Sequence, residues 1–203
     1  MQLLYIMDPM CAWCYAFQPE LEKFLNHHPT AEVKWIMGGL APDNNTPMDE
    51  QLRLKISAYW HEIEKKANVS FNHDYWELNT PYRSTYQACR AVISAEKLSK
   101  KCAPKMAKRI QAAYYLEAKN PSLEKTLINC ASSIGLDPNE FSALLKSKET
   151  EQQLQDDLKF CHQLQVRGFP ALIYIDERNH ARPLTLGYCK ALNLEQNLNQ
   201  IHK

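Results

Sequence analysis

The residues best suited to covalent chemistry are Cys11 and Cys14, in the run Cys11-Ala12-Trp13-Cys14. Two cysteines at that spacing can close a small disulfide ring if they sit at a helix start. A helix N-terminus offers unpaired backbone N–H groups and the positive end of the macrodipole, and both favour a thiolate over a thiol. The thiolate is the nucleophile of thiol–disulfide exchange. Cys11 is therefore expected to react with a substrate disulfide. Cys14, one turn further in, is expected to be more buried and to resolve the mixed disulfide. Ala12 and Trp13 carry no charge and offer no electrostatic tuning.

The bare spacing can arise by chance in a chain with seven cysteines. Two other readings stand beside it, a zinc site and inert packing thiols. A structural zinc site needs two more ligands. There is no second pair at this spacing, Cys161-His162 is adjacent rather than spaced for ligation, and no histidine shows ligand spacing, so no metal is expected. Cys89, Cys102, Cys130, Cys161 and Cys189 show no framework spacing and read as buried thiols in a reducing compartment.

A second feature lies far downstream, at Val166-Arg167-Gly168-Phe169-Pro170. A proline cannot sit inside a central strand, so Pro170 is expected where a strand begins. Only about 5–6% of X–Pro bonds are cis, and the sequence by itself does not mark this one as such.

The elements around these motifs follow from hydrophobic period. Gln2–Met7 is a short apolar run that stops at Asp8-Pro9, as a buried strand would. Phe17, Leu21, Phe24 and Leu25 recur at helical spacing, with Pro19 inside the segment. Residues 33–37, bounded by Gly38-Gly39, read as a second strand, which makes a βαβ unit. After a polar loop at 41–47 the pattern is helical almost throughout residues 48–165. Helices are expected near 48–66, 85–100, 105–118, 121–134, 138–146 and 149–164. Asp137-Pro138-Asn139-Glu140 is a helix start with cap, first-turn proline and reciprocal glutamate. Asn120-Pro121 repeats its first two features. Gly135 suits a left-handed position past a helix end. Residues 171–175 and 184–186 read as a hairpin joined by a polar turn over 176–183. Leu192, Leu194, Leu198 and Ile201 give a closing helix a packing face.

Composition narrows the classes. The chain carries 24 basic and 23 acidic side chains and no isolated basic run, so neither nucleic acid nor an anionic membrane is an expected partner. Five glycines cannot build a phosphate-binding loop. No run of about 18 apolar residues exists for a membrane span. The first basic residue is Lys23 and the leading apolar run is short, so no signal peptide is read and a cytoplasmic location is expected.

Asp8-Pro9-Met10-Cys11-Ala12-Trp13-Cys14-Tyr15, followed by Gly168-Phe169-Pro170, resembles the DsbA family of thioredoxin-fold oxidoreductases, and more closely its cytosolic FrnE-like branch. Tyr86-Gln87-Ala88-Cys89-Arg90-Ala91 resembles a helical segment of that group. The resemblance spans essentially the whole chain. It implies an α/β thioredoxin fold from residues 1–47 and 166–203, with an all-helical domain inserted at 48–165 whose last helix returns to the core. It implies that Cys11 is the nucleophile, that Cys14 resolves, and that Pro170 is cis and faces the pair. Phe169 would offer its backbone to an extended substrate. Ala12 stands where the wider family often has Pro or His, so no redox strength is transferred.

The implied activity is that of a thiol–disulfide oxidoreductase of the protein disulfide isomerase/reductase type, exchanging protein or peptide disulfides through a Cys11–Cys14 couple, with no direction of transfer assigned, glutathione as a candidate redox partner and no resident cofactor. A related alternative is a glutathione-dependent transferase or isomerase of the kappa-class and hydroxychromene-carboxylate isomerase type. Those proteins typically place Ser near the position of Cys11. A third reading is a metal-binding holdase. Trp13 and Tyr15 are candidate substrate-binding residues beside the pair, with Tyr15 expected exposed and Phe17 buried. Asp8 is expected to hold the loop by accepting backbone N–H groups, with proton relay to the pair as its other possible role. His27-His28 is expected to be a solvated helix end. Arg83 and Arg90 are expected to be solvated or ion-paired, with binding of an anionic substrate group as the other reading.

Overall fold

A computed structural model describes residues 1–202. The strands are β1 (Gln2–Met7), β2 (Glu32–Met37), β3 (Ala171–Ile175) and β4 (Ala181–Leu186). They form one sheet in the order β2-β1-β3-β4. β1 runs parallel to β2, with Gln2 opposite Glu32 and Met7 opposite Met37. β3 is antiparallel to β1, pairing Ala171 with Ile6, and β4 is antiparallel to β3.

Alternation along β1 sorts the two faces. Leu3, Tyr5 and Met7 point into the main core with Phe17, Leu21 and Phe24 of α1 (Ala12–His27) and Leu194 and Leu198 of α9 (Ala191–Ile201). Ile6, Ile36, Ala171 and Ile173 point the other way and meet Cys161 of α8 (Lys148–Gln163). Between β2 and α8 lie α2 (Glu50–Ala67), α3 (Tyr75–Leu78), α4 (Tyr86–Leu98), α5 (Cys102–Tyr115), α6 (Glu124–Ser133) and α7 (Pro138–Leu145). Their centre is aromatic: Trp60 packs on Phe71, Tyr75, Trp76, Tyr114 and Tyr115. The element order and the mixed four-stranded sheet are those of a thioredoxin fold carrying a helical insertion.

Local signals explain most boundaries. Asp137 accepts the N–H groups of Asn139 and Glu140 and caps α7, with Pro138 as its first residue. Gly135 adopts φ +86° just past α6. Four expectations need correction. Asn120-Pro121 does not start a helix. Asn120 is buried, its Oδ1 closing a turn with the Ser122 N–H and its amide donating to the Thr80 carbonyl, so α6 begins only at Glu124. β4 begins at Ala181, not Leu184; Pro183 is tolerated because the strand is an edge and its register shifts opposite Leu172/Ile173. Leu192 is 67% exposed and lies outside the core. His27 is exposed at the end of α1 as expected, but His28 is half-buried, and both rings reach the Glu195 carboxylate of α9, at 3.2 and 2.9 Å.

Candidate active site

The turn Asp8-Pro9-Met10 carries the chain from β1 into α1. Cys11 N–H bonds the Asp8 carbonyl at 3.0 Å. Met10 N–H bonds the Asp8 carboxylate at 2.7 Å. Pro9 has no N–H to satisfy there. Cys11 is then the N-cap of α1, with an extended backbone, and its Sγ accepts the Cys14 N–H at 3.4 Å. The sulfur sits where a serine or aspartate cap oxygen would, against first-turn N–H groups. Pro19 lies inside α1, which runs unbroken to His27.

Both thiols are free. Cys11 is 6% exposed and Cys14 fully buried behind it. Burial, and then the adjacent Cys11, push the Cys14 thiol well above the ordinary range. The Tyr5 phenol lies beneath the pair. Burial, and then Cys14 and Cys11, raise it well above its usual value. Nothing in the apolar run of β1 marks Tyr5 in advance; only alternation places it on the face of Leu3 and Met7.

The Phe169–Pro170 peptide is cis. The Phe169 carbonyl faces the pair, with Cys11 Sγ at 3.7 Å. Pro170 is buried and its carbonyl accepts the Gly187 N–H at 2.8 Å, which ties the loop to the end of β4. A Cβ at Gly38 would overlap the Phe169 ring, so Gly38 makes room for it.

Asp8 is buried and has no cationic partner among the described residues. Its two oxygens accept Met10 N–H at 2.7 Å, Leu40 N–H at 2.7 Å, Thr85 Oγ1 at 2.6 Å and Cys89 Sγ at 3.5 Å. Three segments meet there: the turn before Cys11, the loop after β2, and the start of α4. Burial raises the carboxyl from its ordinary value, against the pull of Thr85, Leu40 and Met10. The same carboxylate and burial raise the Cys89 thiol. The contacts make Asp8 a fastener of the loop.

A cleft of about 480 Å³ opens on Cys11. Its floor includes Met10, Trp13, Leu40 and Phe169, and its far wall comes from α2. Trp13 is half-buried, stands 5.4 Å from the Tyr188 ring, and has the Lys66 ammonium 5.9 Å from its own ring centre. Tyr15 requires correction. One residue beyond Cys14 on α1, it turns away from the cleft and into the aromatic centre, 4.8 Å from Tyr115 and 5.3 Å from Phe71, with its hydroxyl on the Ser70 carbonyl. It does not line the cleft. Arg90 is ion-paired to Asp43 and Glu151, whereas Arg83 is exposed and lines the cleft. A larger depression of about 820 Å³ lies at the opposite end of β1, by Gln2 and Glu32, and holds neither cysteine.

One cluster has ligand-type atoms in reach of one another: His61, Glu64 and His73. Its members are distant in sequence, which hides it from spacing rules. Glu64 accepts from both rings, at 3.2 Å each, and from the Phe71 N–H. The two rings are stacked, 4.0 Å apart and 11° from parallel. Both ring nitrogens are directed at the same carboxylate, so the three side chains form one hydrogen-bonded network.

The thioredoxin family model matches residues 4–196. A Nitrosomonas europaea protein described as a candidate protein disulfide isomerase superposes with TM-score 0.88 at 27% identity, covering 100% of this chain and 98% of that one. The cytosolic disulfide reductase DsbM from Pseudomonas aeruginosa superposes at 0.81 with 22% identity, covering 100% and 98%. DsbM is also known as a complex with GSH, which superposes at 0.80. Among curated sequences, the ClpXP adapter protein SpxH of Halalkalibacterium halodurans is 24% identical over 182 residues, 87% of this chain. This chain spans only 59% of the length of that relative.

Proposed function

The chain belongs to the thioredoxin family, and on that premise we propose that it is a thiol–disulfide oxidoreductase working through Cys11 and Cys14. The observation that carries the reading is the placement of Cys11. Its sulfur caps α1 and faces the Phe169 carbonyl, with Cys14 buried directly behind. In the reductive direction the Cys11 thiolate attacks a substrate disulfide, forming a mixed disulfide and releasing one substrate thiolate. Cys14 then gives up its proton and attacks the Cys11 sulfur. The second substrate thiolate leaves, and the protein is left as the Cys11–Cys14 disulfide. Cys14 holds its proton until then, which suits a resolving thiol that must not compete for substrate.

The likeness to DsbM supports the reductive direction, a cytosolic setting and glutathione as the thiol that regenerates the reduced pair. Among the described residues no helix is long and apolar enough to cross a membrane. Trp13, Phe169 and Pro170 are the residues we assign to substrate contact. The glutathione-dependent isomerase alternative needs only one sulfur position, so dependence on Cys14 separates the two.

The deciding experiment is trapping. Cys14→Ser should accumulate a mixed disulfide on Cys11 when the reduced protein meets a disulfide substrate, and Cys11→Ser should form none. If the parent turns over neither insulin disulfides nor small disulfides, and Cys14→Ser traps nothing, the reading is wrong.

A further inference from the structure

We infer that the cleft beside Cys11 selects small disulfides that carry free carboxylates, and that Arg83 and Lys55 are the residues that read them. The inference rests on the oxidoreductase reading above and names its substrate class. Size comes first. Cys11 is 6% exposed and lies at the bottom of a cleft of about 480 Å³ between the cysteine end of the sheet and the helical insertion. That volume belongs to small-molecule sites. A peptide-sized disulfide fits a cleft of this volume.

Charge gives the class. Lys55 of α2 and Arg83, in the segment leading into α4, both line the cleft, and no acidic residue lines it with them. Over the whole chain the charges nearly balance, 24 basic against 23 acidic, so this one-signed lining departs from the average surface. Both side chains are exposed, and neither forms an ion pair among the described residues, whereas Arg90 and Arg109 are both ion-paired. Lys66 adds a third cation at the Trp13 edge. The floor is apolar and suits the methylene and sulfur atoms of the substrate. The two cations suit carboxylates at its ends, and an arginine can take one through two parallel hydrogen bonds.

The exchange is that already described, with the anionic disulfide as oxidant. Cys11–Cys14 loses two electrons and two protons, and the disulfide becomes two thiols. Three disulfides of different charge test the assignment: oxidised glutathione (anionic), 2-hydroxyethyl disulfide (neutral) and cystamine (cationic). The rate of oxidation of the reduced pair should follow that order, and salt should narrow the spread. In Arg83→Ala/Lys55→Ala the ratio of the glutathione rate to the hydroxyethyl rate should fall about tenfold, the size expected of two partly exposed ion pairs. Arg83→Lys should recover part of it. Lys159→Ala, a charge change on α8 outside the cleft, should keep the parent ratio. An unchanged ratio in the double variant, or cystamine as the fastest substrate, overturns the inference and leaves the oxidoreductase reading intact. Reaction with none of the three overturns the inference, and with no turnover of insulin disulfides and no trapping by Cys14→Ser it overturns the oxidoreductase reading as well.

Discussion

Cys11 Sγ lies 3.7 Å from the carbonyl oxygen of Phe169, a residue 158 positions away in sequence. The contact joins the N-cap of α1 to the loop that opens β3. On the proposed reading, the Phe169 backbone beside Cys11 is the part an extended substrate chain would pair with as a short added strand.

The Phe169 ring depends on Gly38, because any Cβ at position 38 would collide with it. Gly38→Ala is expected to push the ring aside and to shift the carbonyl with it. The cost should be about 1–3 kcal/mol, typical of overpacking at a filled site. Thiol exchange should slow several-fold. Chemical denaturation and the rate of oxidation of the reduced pair check the two halves. Unchanged exchange in a destabilised variant would detach the ring from the chemistry.

The seven thiols should differ sharply in reactivity. Burial raises the Cys14, Cys89, Cys130 and Cys189 thiols above the ordinary range and pushes Cys161 up to about 12. Cys11 alone of the seven caps a helix and lines the cleft, so limited iodoacetamide labelling of the reduced protein near pH 8 should mark it ahead of Cys14, Cys89, Cys130 and Cys161. Peptide mapping by mass spectrometry reads the order. Labelling of Cys14 ahead of Cys11 would contradict the assigned roles.

Much of this site was legible before folding because its signals are local. A strand that stops at a proline, a cysteine pair opening a helix, and a proline opening a later strand need only neighbouring residues. β1 and β3 occupy the same residues expected from their apolar runs. What was not legible depends on contacts between distant segments. Gly38 could be read only as a strand boundary, since its need to be small comes from Phe169. Tyr15 sits beside the pair in sequence, yet the 100° step of a helix carries its ring to the aromatic centre. Asn120 looked like a cap because its partner Thr80 is 40 positions away. The exposed Leu192 shows that an apolar residue at helical spacing need not face the core.

Asp8 and its four donors predict a large effect from a small change. In Asp8→Asn the amide group must replace one acceptor oxygen, and its N–H then opposes a buried donor. The smallest loss is the Met10 bond, which loosens the turn that presents Cys11. About 1–3 kcal/mol should be lost for each donor left unpaired. The pH dependence has a definite sign. The native carboxyl titrates above its ordinary 3.8, so just above that value the folded protein binds more protons than the unfolded chain. Stability due to Asp8 therefore rises as pH falls through that window. The gap between parent and Asp8→Asn should widen as pH falls toward 3.8, measured by urea unfolding. A narrowing gap would mean that Asp8 stays ionised more readily when folded.

Glu20 should show the opposite sign. It sits on α1, 10% exposed at its side chain, and accepts the Ala191 N–H of the first turn of α9 at 2.9 Å and the Lys23 ammonium at 3.0 Å. Burial alone would raise its carboxyl, but the Ala191 N–H and Lys23 together hold it below its ordinary 4.5. Between the folded and unfolded values the unfolded chain binds more protons, so stability rises with pH. The contribution is fully present above about pH 5 and is lost as pH falls through the folded value. Glu20→Gln keeps an acceptor for Ala191 but loses the charge at a helix N-terminus, a change worth about 1 kcal/mol at neutral pH. The gap between parent and variant should shrink as pH falls below 4.5. Urea unfolding of both proteins across that range, run beside Asp8→Asn, reads two buried carboxyls of opposite shift in one experiment. A Glu20 gap that stays constant as pH falls below 4.5 would show that shape rather than charge anchors α9 to α1.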